Sequence, residues 1–213
     1  MRINEIIDES LLDEGPNDPH IFKAIYLIGG PGSGKSHVGK QLIQGTGIKY
    51  VNLDTFFELF AKKADASPTD LLVDEPEALK RSGEIAGRTQ SLYASQRLGM
   101  IIDGTGRKLE RIFASKKVLE SLGYSTMAIF VNTSTETAQR RNAQRDRSVN
   151  QEFLAQAHRD VRANLGTIQN EFDTMVIIDN NDDQVDFDIY WKKVQKFINA
   201  PLTHRAQQWV ERN

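Results

Sequence analysis

Five short apolar runs rich in β-branched residues recur along the chain, and longer segments with helical periodicity separate them. The apolar runs lie at residues 22–29, 49–54, 99–105, 125–132 and 174–179. Each run has the length and composition of a strand that is buried on both faces. The helical segments lie at residues 35–44, 55–63, 77–98, 109–122 and 133–145. This alternation predicts an α/β fold in which helices cover both faces of a parallel sheet.

The segments outside this alternation define the predicted domain organisation. Residues 1–20 are acidic and contain Gly15, Pro16 and Pro19, so we expect an N-terminal arm outside the core. Residues 21–213 are predicted to form a single domain, since the length suits one core. An apolar stripe in residues 186–213 predicts C-terminal helices, split at Pro201, that cover the core or bind a partner.

The composition narrows the function classes. The formal net charge is −2, which argues against a protein that coats nucleic acid in general, because such proteins carry a clear basic excess. The chain has no cysteine, so disulfides and thiolate chemistry are excluded. No apolar run approaches the roughly 18 residues that a membrane span needs. These features together predict a cytoplasmic protein with no membrane partner.

The sequence GGPGSGKS at residues 29–36 fits the phosphate-binding pattern G-x-x-x-x-G-K-[ST]. Its glycines allow the backbone amides to approach a phosphate, Lys35 supplies a positive charge, and the Ser36 hydroxyl suits Mg²⁺. The pattern lies between a predicted strand and a predicted helix, which is the context it requires. We therefore predict ATP binding through Gly30, Pro31, Gly32, Ser33, Gly34, Lys35, Ser36 and His37.

A second acidic group is expected to hold Mg²⁺ together with Ser36. Asp103 closes the apolar run at residues 99–105, and strands of a parallel sheet gather ligands at their carboxyl ends. The sequence DGTG at residues 103–106 also fits the D-x-x-G pattern of GTPases. No N-K-x-D pattern follows a later strand, so we set the GTPase interpretation aside.

Asp54 closes the second predicted strand and is the candidate general base. A carboxylate at this position could accept the proton of an attacking hydroxyl group, as an aspartate does in other phosphoryl transferases. The alternative is that Asp54 is the N-cap of a helix that begins at Thr55. The two roles are compatible, and the sequence leaves both open.

The sequence RRNAQRDR at residues 140–147 contains four arginines. A capping box at residues 133–136 predicts that this helix begins there, which places Arg141 and Arg145 on one face. Guanidinium groups suit the negative charge that spreads over a transferring phosphoryl group. We therefore predict a mobile lid near residues 140–165, with Arg140 and Arg147 facing solvent or an acceptor phosphate. The alternative is an ordinary solvated face.

The phosphate loop, NLDTFFE, GMIIDGTGR and RRNAQRDRSV, in this order, resemble the P-loop kinase group that contains zeta toxins and polynucleotide 5′-kinases. The resemblance implies a five-stranded sheet of order 2-3-1-4-5 and transfer of the γ-phosphate of ATP, with Mg²⁺, to a hydroxyl group. It also implies that Asp54 is the base, that Asp103 lies near Mg²⁺, and that Arg141 and Arg145 are lid cations. The sequence departs from the D-x-F-R run of zeta toxins at Phe57.

The acceptor is open at this stage. A nucleotide, a nucleic-acid 5′ end, a sugar derivative and a small alcohol all offer a hydroxyl group. Three arginines on the predicted 77–98 helix could bind an anionic acceptor or lie on the surface: Arg81, Arg88 and Arg97. An alternative function is an ATP-binding regulatory or assembly ATPase, which needs Lys35 and Ser36 but no phosphate acceptor.

Overall fold

The sheet is built around β1, Lys23–Ile28, in which every residue is buried. β1 pairs in parallel with β3 (Met100–Gly104) on one side and with β4 (Ser125–Asn132) on the other. β2 (Lys49–Val51) pairs with the outer side of β3, and β5 (Met175–Asp179) pairs with the outer side of β4. The resulting order, β2-β3-β1-β4-β5, confirms the predicted parallel sheet.

The computed structural model describes residues 20–68, 70–71, 75–144, 149–181 and 185–213. All but the last residue of the predicted N-terminal arm therefore lie outside the described residues. The helices within these ranges are α1 (Lys35–Ile43), α2 (Leu53–Lys63), α3 (Glu77–Ser95), α4 (Leu109–Ser121), α5 (Thr135–Ala143), α6 (Gln151–Ala163), α7 (Leu165–Glu171), α8 (Phe187–Ile198) and α9 (His204–Val210). None of them combines the length and the apolar character that crossing a membrane requires.

The two faces of the sheet pack against different helices, because successive side chains of a strand point to opposite faces. Ala24, Tyr26 and Ile28 of β1 lie in a core that includes residues of α3, α4, α6, α7 and α9. Ile25 and Leu27 lie in a second core, which α1 and α8 complete. Full burial of a large aliphatic side chain contributes about 1.5–3 kcal/mol, so both faces stabilise the sheet.

Two helix starts differ from the sequence prediction by one or two residues. α2 begins at Leu53 because the Asn52 side chain caps it, and Asn52 Oδ1 accepts the amide of Asp54 at 2.8 Å. The interpretation of Asp54 as the N-cap is therefore wrong. α5 begins at Thr135 because Ser134 Oγ accepts the amide of Thr137 at 3.1 Å. The predicted capping box starts one residue too early.

α3 ends at Ser95, before the predicted end at residue 98, and Arg97 lies beyond it with φ 62°. The Arg97 guanidinium lies over the ring of Trp209, with its carbon 5.5 Å from the ring centroid. It also donates from Nη1 to the carbonyl of Ala94 at 2.6 Å. Arg97 thus connects the end of α3 to α9, and its predicted place on the helix is wrong.

Lys23, the first residue of β1, is buried under the connection between α8 and α9. Its ammonium group donates to the carbonyl oxygens of Ala200 at 2.8 Å and Pro201 at 3.4 Å. Burial lowers the pKa of Lys23 from its ordinary value. These hydrogen bonds compensate in part for the loss of water around the amine, and they fix the C-terminal helices to the central strand.

Candidate active site

The loop between β1 and α1 depends on two glycines with positive φ. Gly32 has φ 75° and Gly34 has φ 81°, a region that other residues rarely adopt. A Cβ atom on Gly32 would lie 2.5 Å from the carbonyl oxygen of Ala138, and a Cβ atom on Gly34 would collide with the side-chain amide of Asn180. α1 begins directly after Gly34, so its positive dipole end faces the loop.

The carbonyl group of Ser33 is fixed by two side chains that come from other strands. Thr133, after β4, donates from Oγ1 to Ser33 O at 3.1 Å. Asn180, after β5, donates from Nδ2 to the same oxygen at 2.7 Å. All three residues are buried. The sequence prediction did not include Thr133 or Asn180 in the site, although both directly follow strands whose carboxyl ends lie at the ligand-binding edge.

Other residues of the loop contact different elements. The Lys35 ammonium group donates to the carbonyl of Gly30 at 3.4 Å, so this side chain lies back across the loop. His158 of α6 lies against Pro31, with Nε2 2.8 Å from the Pro31 carbonyl oxygen. Burial lowers the pKa of His158, and because a carbonyl only accepts, the neutral ring carries its hydrogen on Nε2. His37 is exposed, with its ring 6.2 Å from that of Phe187 in α8.

Asp103, at the carboxyl end of β3, lies beside Ser36 as predicted. Its Oδ2 accepts hydrogen bonds from Ser36 Oγ at 3.2 Å, from Tyr50 Oη at 2.7 Å and from Asn52 Nδ2 at 3.1 Å. Burial and the Asp103 carboxylate raise the pKa of Tyr50, so its hydroxyl group stays a donor. The sequence prediction did not include Tyr50 and Asn52. The signal for Asn52 was a polar side chain directly after β2, whereas Tyr50 lies within β2 and gave no such signal.

Asn52 connects this cluster to the candidate base. Its Nδ2 donates to Asp103, and its Oδ1 accepts the amide of Asp54 in the first turn of α2. The same side chain therefore sets the position of α2 relative to β3. Asp54 is partly exposed at this edge of the sheet, where a ligand can reach it.

Arg141 of α5 lies against the phosphate loop. Its Nη1 donates to the carbonyl oxygen of Asn180 at 2.7 Å and lies 3.7 Å from where a Cβ of Gly34 would be. Arg140, one residue earlier, is exposed. Arg145 and Arg147 lie outside the described residues. Among the described residues of the predicted lid, therefore, Arg141 is placed at the loop and Arg140 faces solvent.

The predicted lid region continues into α6, which packs on the loops around the site. Arg107, after β3, forms an ion pair with Asp160 of α6, with 3.0 Å between Nη2 and Oδ2. The Arg107 guanidinium lies over the ring of Phe153, 4.9 Å from its centroid. α6 is thereby joined both to the phosphate loop, through His158, and to the loop after β3. α6 was not predicted from the sequence as a separate helix.

Phe57, where zeta toxins have an arginine, belongs to the core between α2 and α3. It is fully buried with Ala61, Leu71 and Ala78. Arg81 of α3 packs over the neighbouring Phe60, 5.4 Å from the ring centroid. This position therefore stabilises the pairing of α2 with α3 and presents no cation to a substrate.

The chemistry of Ser36 and Asp103 fits Mg²⁺. A hydroxyl and a carboxylate oxygen are hard ligands, and Mg²⁺ in such sites keeps several waters and binds substrate phosphates in addition. Across the described ranges, no group of three or more histidine, aspartate or glutamate side chains lies together in a way that would hold a metal. Ser36 and Asp103 supply two protein ligands, and phosphate oxygens would complete the coordination of the metal together with water.

Comparison with known proteins identifies relatives of this arrangement. The AAA domain family model matches residues 25–167, well over half of the chain. None of the curated proteins matches the chain.

Three solved structures share the fold at low sequence identity. The PezAT toxin–antitoxin system of Streptococcus pneumoniae has 16% identity and a TM-score of 0.57, with coverage of 100% of this chain and 97% of that chain. Shikimate kinase from Bacteroides thetaiotaomicron has 15% identity and a TM-score of 0.51, with coverage of 83% and 98%. The AvrRxo1-ORF1:ORF2 complex with ATP has 14% identity and a TM-score of 0.59, with coverage of 92% and 73%.

Proposed function

The chain belongs to the AAA domain family, and we propose that it is a phosphotransferase that moves the γ-phosphate of ATP to a hydroxyl group of an acceptor. The observation that carries the proposal is the double contact of Asn52. Its side chain joins Asp103, beside the phosphate loop, to the backbone of Asp54. The proposed Mg²⁺-binding carboxylate and a carboxylate suited to proton transfer are therefore held at one edge of the sheet.

ATP would bind in the loop between β1 and α1, with the Lys35 ammonium group and the amides of residues 30–37 on its phosphates. The positive φ of Gly34 and the start of α1 directly after it support this assignment. Ser36 and Asp103 would hold Mg²⁺, which neutralises charge on the phosphate oxygens when it is bound. The likeness in fold to a shikimate kinase and to a complex that contains ATP agrees with this chemistry.

In the proposed reaction, the acceptor oxygen forms a bond to the γ-phosphorus while the bond from that phosphorus to the β–γ bridging oxygen breaks. ADP leaves with the bonding electrons, and the acceptor proton passes to the Asp54 carboxylate. Proton transfer of this kind contributes about 10²–10⁴-fold to the rate. Arg141 and Arg145 would bind the equatorial oxygens, whose charge is largest in the transition state.

The kinase interpretation leaves four acceptor classes: a nucleotide, a nucleic-acid 5′ end, a sugar derivative or a small alcohol. Phe57 stands where the zeta-toxin pattern has an arginine, and it is buried, so this position gives no support to a nucleotide-sugar acceptor. We propose membership of this kinase group and leave the acceptor to experiment.

The test is transfer from γ-labelled ATP to a panel of these acceptors, with Asp54→Asn, Lys35→Ala and Asp65→Asn measured in parallel. We expect Asp54→Asn to lower transfer by more than about 10²-fold while ATP binding stays nearly intact. Lys35→Ala should lose tight ATP binding, because the charge of Lys35 serves the phosphates. Asp65, exposed just past the end of α2, is the matched control and should change neither quantity.

The proposal would be contradicted if phosphate is released to water in the presence of every acceptor and if Asp54→Asn does not change the rate of this release. That result would favour the regulatory or assembly ATPase.

A further inference from the structure

We infer that Thr133 and Asn180 are positioning residues that orient the peptide group between Ser33 and Gly34 so that the Gly34 amide faces the phosphates of ATP. The inference rests on the proposed binding of ATP. It assigns a role in phosphate binding to two residues that follow β4 and β5 and that lie far along the chain from the phosphate-binding sequence pattern.

The planar peptide bond between Ser33 and Gly34 couples the direction of the Ser33 carbonyl to that of the Gly34 amide. In a trans peptide the carbonyl of one residue and the amide hydrogen of the next point in opposite directions. Thr133 Oγ1 and Asn180 Nδ2 both donate to Ser33 O, at 3.1 Å and 2.7 Å. They draw this carbonyl toward the ends of β4 and β5, so the Gly34 N–H points to the opposite side of the loop.

Gly34 leaves the peptide group between Ser33 and Gly34 free to rotate. Glycine adopts positive and negative φ about equally, so the φ of 81° that the loop uses is not enforced by the residue itself. Rotation of the 33–34 peptide would point a carbonyl dipole at the phosphates, where it repels negative charge. The loop therefore needs an external constraint on the Ser33 carbonyl, and the two side chains supply it.

The side chains that hold the Ser33 carbonyl are buried. Thr133 and Asn180 are 2% and 6% exposed, so water cannot take over their role at the Ser33 carbonyl. Arg162 of α6 in turn donates from Nη2 to the Thr133 carbonyl at 3.1 Å, which fixes the backbone that carries the hydroxyl group. A buried donor or acceptor without a partner is costly, so the arrangement has one strongly favoured state.

The contacts of Arg141 allow a clean experiment. Arg141 donates to the backbone carbonyl of Asn180, which side-chain substitutions keep. Thr133→Val removes the hydroxyl group at nearly constant shape, and Asn180→Ala removes the amide. Thr133→Ser keeps the hydroxyl group. The matched control is Thr46→Val, because Thr46 is also buried and donates to a backbone carbonyl, that of Ile43, at 2.7 Å.

We would measure the dissociation constants of ATP and of inorganic pyrophosphate by calorimetry, the melting temperature, and the ¹⁵N–¹H shift of the Gly34 amide. Thr133→Val and Asn180→Ala should each weaken both ligands roughly tenfold, as expected for one hydrogen bond of this kind. Thr133→Ser should recover most of the affinity, and the Gly34 amide should move in the two weakened variants without ligand. Thr46→Val should lower the melting temperature and leave affinity unchanged.

Wild-type affinity in folded Thr133→Val and Asn180→Ala would overturn the inference and leave ATP binding itself in place. The inference also fails if Thr46→Val weakens ATP binding as much as the other variants do and if affinity follows the melting temperature in all of them. In that case the role of Thr133 and Asn180 is structural. A wild-type protein that binds neither ATP nor pyrophosphate would refute the proposed function and the inference with it.

Discussion

The side chain of Asn52 donates a hydrogen bond from Nδ2 to Asp103 Oδ2 at 3.1 Å. Because Asn52 Oδ1 also caps α2, the helix that carries Asp54 and the strand that carries Asp103 have a fixed relation. A displacement of about 1 Å at a reacting group can cost 10²-fold in rate. Rigid coupling of this kind is therefore expected to affect catalysis as well as stability.

The two contacts of Asn52 are separable by substitution. Asn52→Ser keeps a hydroxyl group that can cap α2 but is too short to reach Asp103, whereas Asn52→Ala removes both contacts. We expect both variants to slow phosphate transfer. Only the alanine variant should lose the capping contribution of about 1 kcal/mol in unfolding free energy. Urea unfolding together with initial rates measures the two effects, and equal stability losses would show that the cap is unimportant.

Mg²⁺ dependence should be altered in Asp103→Asn. The substitution removes the negative charge beside Ser36 but keeps an oxygen that accepts hydrogen bonds. We expect the rate to saturate at higher Mg²⁺ concentration than in the wild type, and excess chelator to abolish transfer in both. Rates measured across a Mg²⁺ titration test this. A normal Mg²⁺ response in the variant would contradict the assignment of Asp103.

Replacement of Arg141 should lower kcat more than it weakens ATP binding, since the charge it meets is largest in the transition state. The expected loss for Arg141→Ala is about 10³-fold, and Arg141→Lys should not restore it because lysine lacks the planar fork. Arg145→Ala should behave similarly if the two residues form the lid. Arg140→Ala, from an exposed position on the same helix, is the control.

A nucleic-acid patch makes a different prediction for the same variants. In that case alanine would weaken polynucleotide binding with a shallower salt dependence, and transfer to small acceptors would be unchanged. A kcat within a few-fold of the wild type for a small acceptor would refute the lid.

His158 should make stability sensitive to mild acid. Burial lowers its pKa in the folded protein, so on acidification the unfolded chain takes up the proton first. Stability should therefore fall as the pH drops below the ordinary histidine value of about 6.5. In His158→Gln this part of the pH dependence should be absent. Urea unfolding of both proteins between pH 7 and pH 5 measures the difference, and parallel curves would contradict the role of His158.

The elements that the sequence predicted well are those that local pattern determines. Apolar β-branched runs identified the five strands of the described part of the chain, and GGPGSGKS located Lys35 and Ser36. Asp103 was identified because strand ends gather ligands, and the structure places it 3.2 Å from Ser36.

The parts that the sequence did not predict depend on contacts between distant segments. Asn52 and Asp54 are both good capping residues, and local sequence cannot choose between them. Asn52 also bonds to Asp103, and that tertiary contact is invisible in the sequence. Thr133 and Asn180 contact the carbonyl of Ser33, from which they are separated by 100 and 147 residues along the chain. α6 is positioned by His158 and Arg107.

The hydrogen bonds of the buried Lys23 ammonium group connect segments that are synthesised at different times. β1, which occupies the centre of the sheet, is synthesised before the segment that carries residues 200 and 201. The carbonyl oxygens that receive its lysine belong to residues 200 and 201, which are translated much later. Until they emerge from the ribosome, the central strand carries a charge that favours water. We expect released chains truncated before residue 200 to be less stable than chains that include residues 200 and 201.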